Sequence, residues 1–171
     1  DIQKREMINE LKRIEESIFT INNLKITNLL NEIECEEYSG FNFCLDKLNV
    51  KFRKAKITPK KVGQFVTLWK RNSDKQTEPF TANDNFDFYI IVAEQDDEFG
   101  FFFFSKSVLI KNQILTTNEK VGKRGFRVYP DWAKTENKQA EKTKTWQSEY
   151  FINLNNEVES IRKFNVILNS D

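Results

Sequence analysis

The chain has 171 residues, 27 Lys and Arg against 26 Asp and Glu, and a formal net charge of +1, with 39% hydrophobic and 31% charged residues. That balance fits one soluble domain with a sizeable core, 1–171, and excludes a disordered basic tail. The absence of His excludes Ser-His-Asp and Cys-His mechanisms, and with only Cys35 and Cys44 it speaks against structural zinc, so any catalysis would use carboxylates, Lys, Tyr or a carboxylate-bound metal.

In chain order, residues 2–19 place Ile2, Met7, Leu11, Ile14, Ile18 and Phe19 at helical spacing, with Lys and Glu between them. A second short helix is expected over 26–33, capped by Thr27 or Asn28. An acidic patch (Glu32, Glu34, Glu36, Glu37) runs into a turn at Ser39-Gly40. Residues 41–45 read as a strand, 46–49 as a hairpin loop and 50–57 as the return strand. Thr58 and Pro59 suit the start of one helical turn over 59–62, which Gly63 closes, and 64–71 is the next strand.

Residues 72–85 are polar and read as a loop. Residues 86–93 form a near-continuous apolar run, and 99–104 hold five Phe in six positions. Both read as strands buried on two faces, joined by the acidic turn 94–98. Ser105 caps a short helix to 112. A polar basic loop (118–125), a short strand (126–129) and a turn (131–137) follow. Helices are expected over 138–153 and 157–168, the latter turning Val158, Ile161, Phe164 and Ile167 or Leu168 to the core. Helices, then five or six strands, then helices argue for an α+β layered domain. No apolar run approaches the ~20 residues that span a bilayer. The first residues carry no signal-peptide h-region, so a cytoplasmic protein with free thiols is expected.

Charge is segregated within this nearly neutral chain. Residues 51–71 carry eight cations (Lys51, Arg53, Lys54, Lys56, Lys60, Lys61, Lys70, Arg71) and no carboxylate. Residues 120–144 carry eight cations against three carboxylates, among them Lys120, Lys123, Arg124, Arg127 and Lys138. Such clusters, interleaved with apolar residues, fit a folded surface that meets a polyanion, most commonly nucleic acid. With acidic residues 32–37 and 84–98 as counterweight, a dipolar molecule with faces of opposite sign is expected. Period-two alternation cannot put Arg53 and Lys54 on one face, so some of these cations must point into the fold or past a sheet edge.

Trp69, Trp132 and Trp146 lie in or beside the basic stretches, a pairing suited to stacking bases while cations track phosphates. Trp132 follows Pro130-Asp131 and is expected to be the exposed one. A metal-dependent nuclease needs two or three carboxylates at strand ends, and often a Lys. Asp131, Glu136 and Lys138 match the required residue types, but on a loop. Asp87 and Glu94 bracket a good strand, but no Lys follows two residues on. Binding without catalysis, no cofactor and no metal is therefore the reading. A nuclease with an atypical carboxylate site and a protein-interaction module are the alternatives.

The blocks GFNFCLDKLNVKFRKAKITPKKVGQFVTLWKR, PF at Pro79-Phe80, DFYIIV, SKSVLI, VGKRGFRVYPDW and KQAEKTKTWQSEYF, in this order, resemble the bacterial MepB family over about residues 33–154. The helices at either end, 2–33 and 157–168, lie outside the resemblance. It implies an α/β fold similar to the PD-(D/E)XK restriction-endonuclease group: a central mixed sheet of five to six strands flanked by helices. It also implies nucleic-acid binding, favouring RNA and single strands, without a recognisable nuclease site. The family's namesake is encoded beside a multidrug efflux pump and its repressor, which implies a role in a drug-resistance response. The positions carried over are Arg53, Lys56, Lys60, Trp69, Lys70, Arg71, Lys106, Lys123, Arg124, Arg127, Trp132, Lys138, Trp146 and Gln147. Lys54 and Lys61 join them on the expected surface for single-stranded DNA or RNA. An unidentified protein is the other expected partner, and no membrane is expected.

Overall fold

The two apolar runs form the centre of a mixed six-stranded sheet in a computed structural model, which describes residues 7–170. The strands are β1 (Ile26–Asn31), β2 (Phe41–Leu45), β3 (Leu48–Lys54), β4 (Lys56–Ile57), β5 (Gln64–Thr67), β6 (Trp69–Arg71), β7 (Thr77–Pro79), β8 (Phe88–Gln95), β9 (Glu98–Ser105), β10 (Gly125–Val128) and β11 (Phe151–Asn153). The large sheet has the order β1-β2-β3-β8-β9-β11. β3 and β8 are parallel, and the other neighbours are antiparallel. A three-stranded sheet, β10-β5-β4, and a β6-β7 hairpin lie beside it.

The helices are α1 (Asn9–Ile14), α2 (Lys106–Lys111), α3 (Lys138–Ser148) and α4 (Glu157–Leu168). They distribute over both faces because β8 and β9 are apolar on both. On one face, Leu11, Ile14, Ile18, Phe164 and Ile167 pack against Phe43, Val50, Ile90, Phe101 and Phe103. On the other, Tyr89, Ile91, Phe102 and Phe104 pack against Val66, Leu68, Leu109, Phe126 and Val128. Each such ring or branched chain contributes roughly 1.5–3 kcal/mol by leaving water, so the Phe-rich hairpin supports two cores at once. Ser105 caps α2 as the sequence suggests, its side chain accepting from Val108 N–H.

Several elements differ from the sequence reading. Residues 26–33 are not a helix: β1 is the edge strand of the large sheet. Its pairing shifts between Thr27 and Leu30, where Asn28 has φ of 53°, and this break erases the alternation that marks a strand. The N-terminal helix begins at Asn9 and continues as a π-helical turn, Glu15–Phe19, while the expected residues 2–6 fall outside the described residues. Residues 59–62 are turns without a helix. The expected strand 64–71 is two strands in different sheets, broken at Leu68, and the loop 72–85 contains β7. The helix expected over 138–153 stops at Ser148, because Phe151 and Ile152 are drawn into the sheet edge beside β9. Val158 points to solvent, and Ser160 takes its place in the buried face of α4.

Candidate nucleic-acid interface

Most of the first basic run is neutralised within the fold. Arg53, 0% exposed, donates from Nη2 to Glu32 Oε2 at 2.5 Å and from Nη1 to Phe52 C=O at 2.8 Å. Lys51, 9% exposed, donates to Glu32 Oε1 at 2.8 Å and Asn42 at 3.1 Å, and its ammonium lies 4.3 Å from the Phe80 ring centre. One carboxylate thus serves two buried cations. Burial alone would raise the Glu32 carboxyl, but the Arg53 and Lys51 charges outweigh it and hold it below its ordinary range. Burial lowers the Lys51 ammonium, with Glu32 acting in the opposite sense.

Four more cations of the run have carboxylate partners too. Lys54 meets Glu10 at 3.4 Å and Glu94 at 3.2 Å, and Lys56 meets Glu37 at 3.2 Å. Lys70 meets Asp84 at 2.8 Å, and Arg71 meets Glu34 at 2.5 Å while standing over the Trp69 ring. The expected separation into acidic and basic faces is therefore incorrect. The 32–37 patch sits on the basic strands, because the 3-10 helix Ile33–Tyr38 leads from β1 back to β2 across them.

Lys60 and Lys61 behave differently. They project from the turn after β4, exposed, and among the described residues neither pairs with a carboxylate. They line an open cleft of about 450 Å³ together with Lys123 and Arg127. Three separate segments supply these cations: the 58–62 turn, the loop before β10, and β10 itself. Arg127 ties the turn in place through Val62 C=O, at 3.3 Å, and the Thr58 hydroxyl. The walls are Phe126, Tyr129 and Trp146, the last packed with its ring centre 5.3 Å from that of Phe104 in the core. Asn112, Asn137 and Gln139 add amides, and among the described residues Glu136 is the one carboxylate in the lining. Gln147, fully buried at the base, donates from Nε2 to Arg127 C=O at 2.9 Å and accepts from Tyr129 N–H at 2.8 Å.

The remaining expected residues lie elsewhere. Lys106 donates to Asp84 C=O, and Arg124 to Thr77 C=O at 3.2 Å. Trp132 is half-buried rather than exposed: it packs edge-on against Phe151 and donates to Gln95 at 3.2 Å. Lys138 is exposed on the first turn of α3. Phe126, Tyr129, Asn112, Gln139 and Thr143 line the cleft without having been singled out. Only the proximity of 126–129 to the basic loop signalled any of them.

The nuclease candidates do not converge. Asp131 accepts from Asn153 at 3.0 Å outside the cleft that Glu136 lines. Asp87 and Glu94 are seven residues apart along an extended segment, about 23 Å. Among the described residues no group of three or more Cys, Asp or Glu is placed to hold a metal ion. No described helix is long and apolar enough to cross a membrane.

Comparison with known proteins places this arrangement. A family model described as MepB-like matches residues 32–153. The chain belongs to the MepB-like family. A solved structure titled "Crystal Structure of MepB" is similar to it at 30% identity and a TM-score of 0.76, covering 88% of this chain and 99% of that one. No curated protein matches the chain. The MepB-like match spans β2 to β11 and so takes in all four cleft cations, while α1 and α4 flank it.

Proposed function

We propose that the cleft between the 58–62 turn, β10 and α3 binds the backbone of single-stranded DNA or RNA without cutting it. One observation carries this reading. Four cations with no carboxylate partner among the described residues, drawn from three segments, meet in one aromatic-walled cleft, whereas the ion-paired cations hold the fold together. Lys60, Lys61, Lys123 and Arg127 contact phosphates, and Trp146 offers a ring to a base, a contact worth roughly 1–3 kcal/mol. The likeness to the PD-(D/E)XK group supports a nucleic-acid partner by analogy of fold alone.

The test is a fluorescence titration with single-stranded RNA, single-stranded DNA and duplex DNA, with and without Mg²⁺, over a range of salt. Affinity for single strands falls steeply with salt. Replacing Lys60, Lys61 and Lys123 by Ala flattens the log–log slope by about 2. Replacing Lys54, Lys56 and Arg71 leaves the slope as it is. Equal effects of the two triple variants would overturn the assignment to the cleft. Mg²⁺-dependent cleavage would overturn the non-catalytic reading, and a protein partner retained in high salt without nucleic acid would favour an interaction module.

A further inference from the structure

The outer edge of β10 already holds one donor–acceptor pair, and it offers a second. β10 ends its three-stranded sheet and, among the described residues, pairs only with β5. Leu68 N–H donates to Arg124 C=O at 2.8 Å. With continuous register, Arg124, Phe126 and Val128 therefore turn their backbone groups to β5, and Gly125, Arg127 and Tyr129 turn theirs outward. The Gln147 carboxamide occupies one outward rung, giving its N–H to Arg127 C=O and taking Tyr129 N–H on its oxygen. The preceding rung consists of Gly125 C=O and Arg127 N–H. Neither group has a protein partner among the described residues, and both residues line the basic cleft.

We propose that this rung takes one unpaired nucleobase by its Watson–Crick edge, alongside Trp146, with the adjoining phosphates on Lys60, Lys61 and Lys123. The inference rests on the nucleic-acid reading above and names what that site recognises. Uracil presents N3–H beside a carbonyl oxygen, the same donor–acceptor pair that Gln147 presents one rung further on. The other bases carry a donor next to an acceptor on the same edge. In a duplex that edge is already used by the complementary base. Preference for single strands then comes from the strand edge of β10, since charge alone attracts both forms.

The experiment measures anisotropy of the whole chain with three labelled oligouridines: unmodified, methylated at N3, and methylated at C5. All three keep their phosphates and their π-faces. The N3 methyl group removes the donor and projects at the strand, whereas the C5 methyl group leaves the edge free. The N3-methylated oligomer is expected to bind about tenfold more weakly or worse, and the C5-methylated one as tightly as the unmodified. Equal affinity for all three overturns this inference and leaves the phosphate-binding reading standing. Binding of none of the three overturns both.

Discussion

Glu32→Gln tests the neutralisation of β3. The change keeps the side-chain volume and removes the one carboxylate that, among the described residues, serves Lys51 and Arg53. Arg53 is fully buried and its Nε already lacks a partner among the described residues, so water cannot replace the lost charge. Breaking a buried ion pair from one side costs about 3–5 kcal/mol. With a urea dependence near 2 kcal/mol per molar, the midpoint falls by about 2 M at pH 7. The effect also has a pH signature. The folded carboxyl titrates below its ordinary range, so on acidification the unfolded chain takes up the proton first. Its stabilisation is complete above the unfolded value of about 4.3 and is lost as pH falls through the lower folded value. Urea midpoints of wild type and variant, followed by tryptophan fluorescence from pH 7 downward, should therefore converge in acid. An unchanged midpoint at pH 7, or an offset that persists into strong acid, would refute the reasoning.

Two further changes probe the cleft's supports. Gly63 has φ of +83°, and a Cβ there would lie 2.7 Å from the Tyr129 ring and 2.9 Å from Val128 C=O. Gly63→Ala should cost more than about 1 kcal/mol in a urea titration and weaken oligonucleotide binding by displacing Lys60 and Lys61. Gln147→Leu should leave Arg127 C=O and Tyr129 N–H without partners at a fully buried position. A loss of about 2 kcal/mol or more follows, seen as a drop of roughly 4–8 °C in thermal melting.

The hairpin of β8 and β9, the Ser105 cap and the span of α4 were legible because each rests on local signals: apolar runs, a capping serine and a 3.6-residue stripe. β1 was not, since its pairing irregularity gives Ile26, Leu29, Leu30 and Ile33 a helix-like spacing. That Arg53 and Lys54 face opposite ways followed from alternation alone, but which of them turns inward did not: Arg53, expected on the binding surface, is the buried one. The neutralisation of residues 51–71 did not, because its carboxylates all lie outside the run, 8 to 44 residues away from their partners, as in Lys70–Glu78 and Lys54–Glu10. A run without acidic residues is basic in the chain and need not be basic in space. Gln147 was singled out as a surface contact, whereas the structure uses its carboxamide as a substitute strand residue. One glutamine in a helix carries no local mark of that.

The Phe-rich stretch of β9 has a consequence for how the sheet finds its alignment. A strand that alternates apolar and polar residues resists sliding by one position, because every side chain would change face. Here both faces carry phenyl rings, so a slip exchanges one Phe for another and burial scarcely registers it. Gly100 does register it. It pairs with Asn153 where the Phe151 ring crosses the backbone, and a Cβ there would lie 2.6 Å from Ile152 C=O. Either neighbour moved into that place, Phe99 or Phe101, would collide. A residue with no side chain thus fixes which ring becomes Phe104's position beneath Trp146, and through it the floor of the cleft.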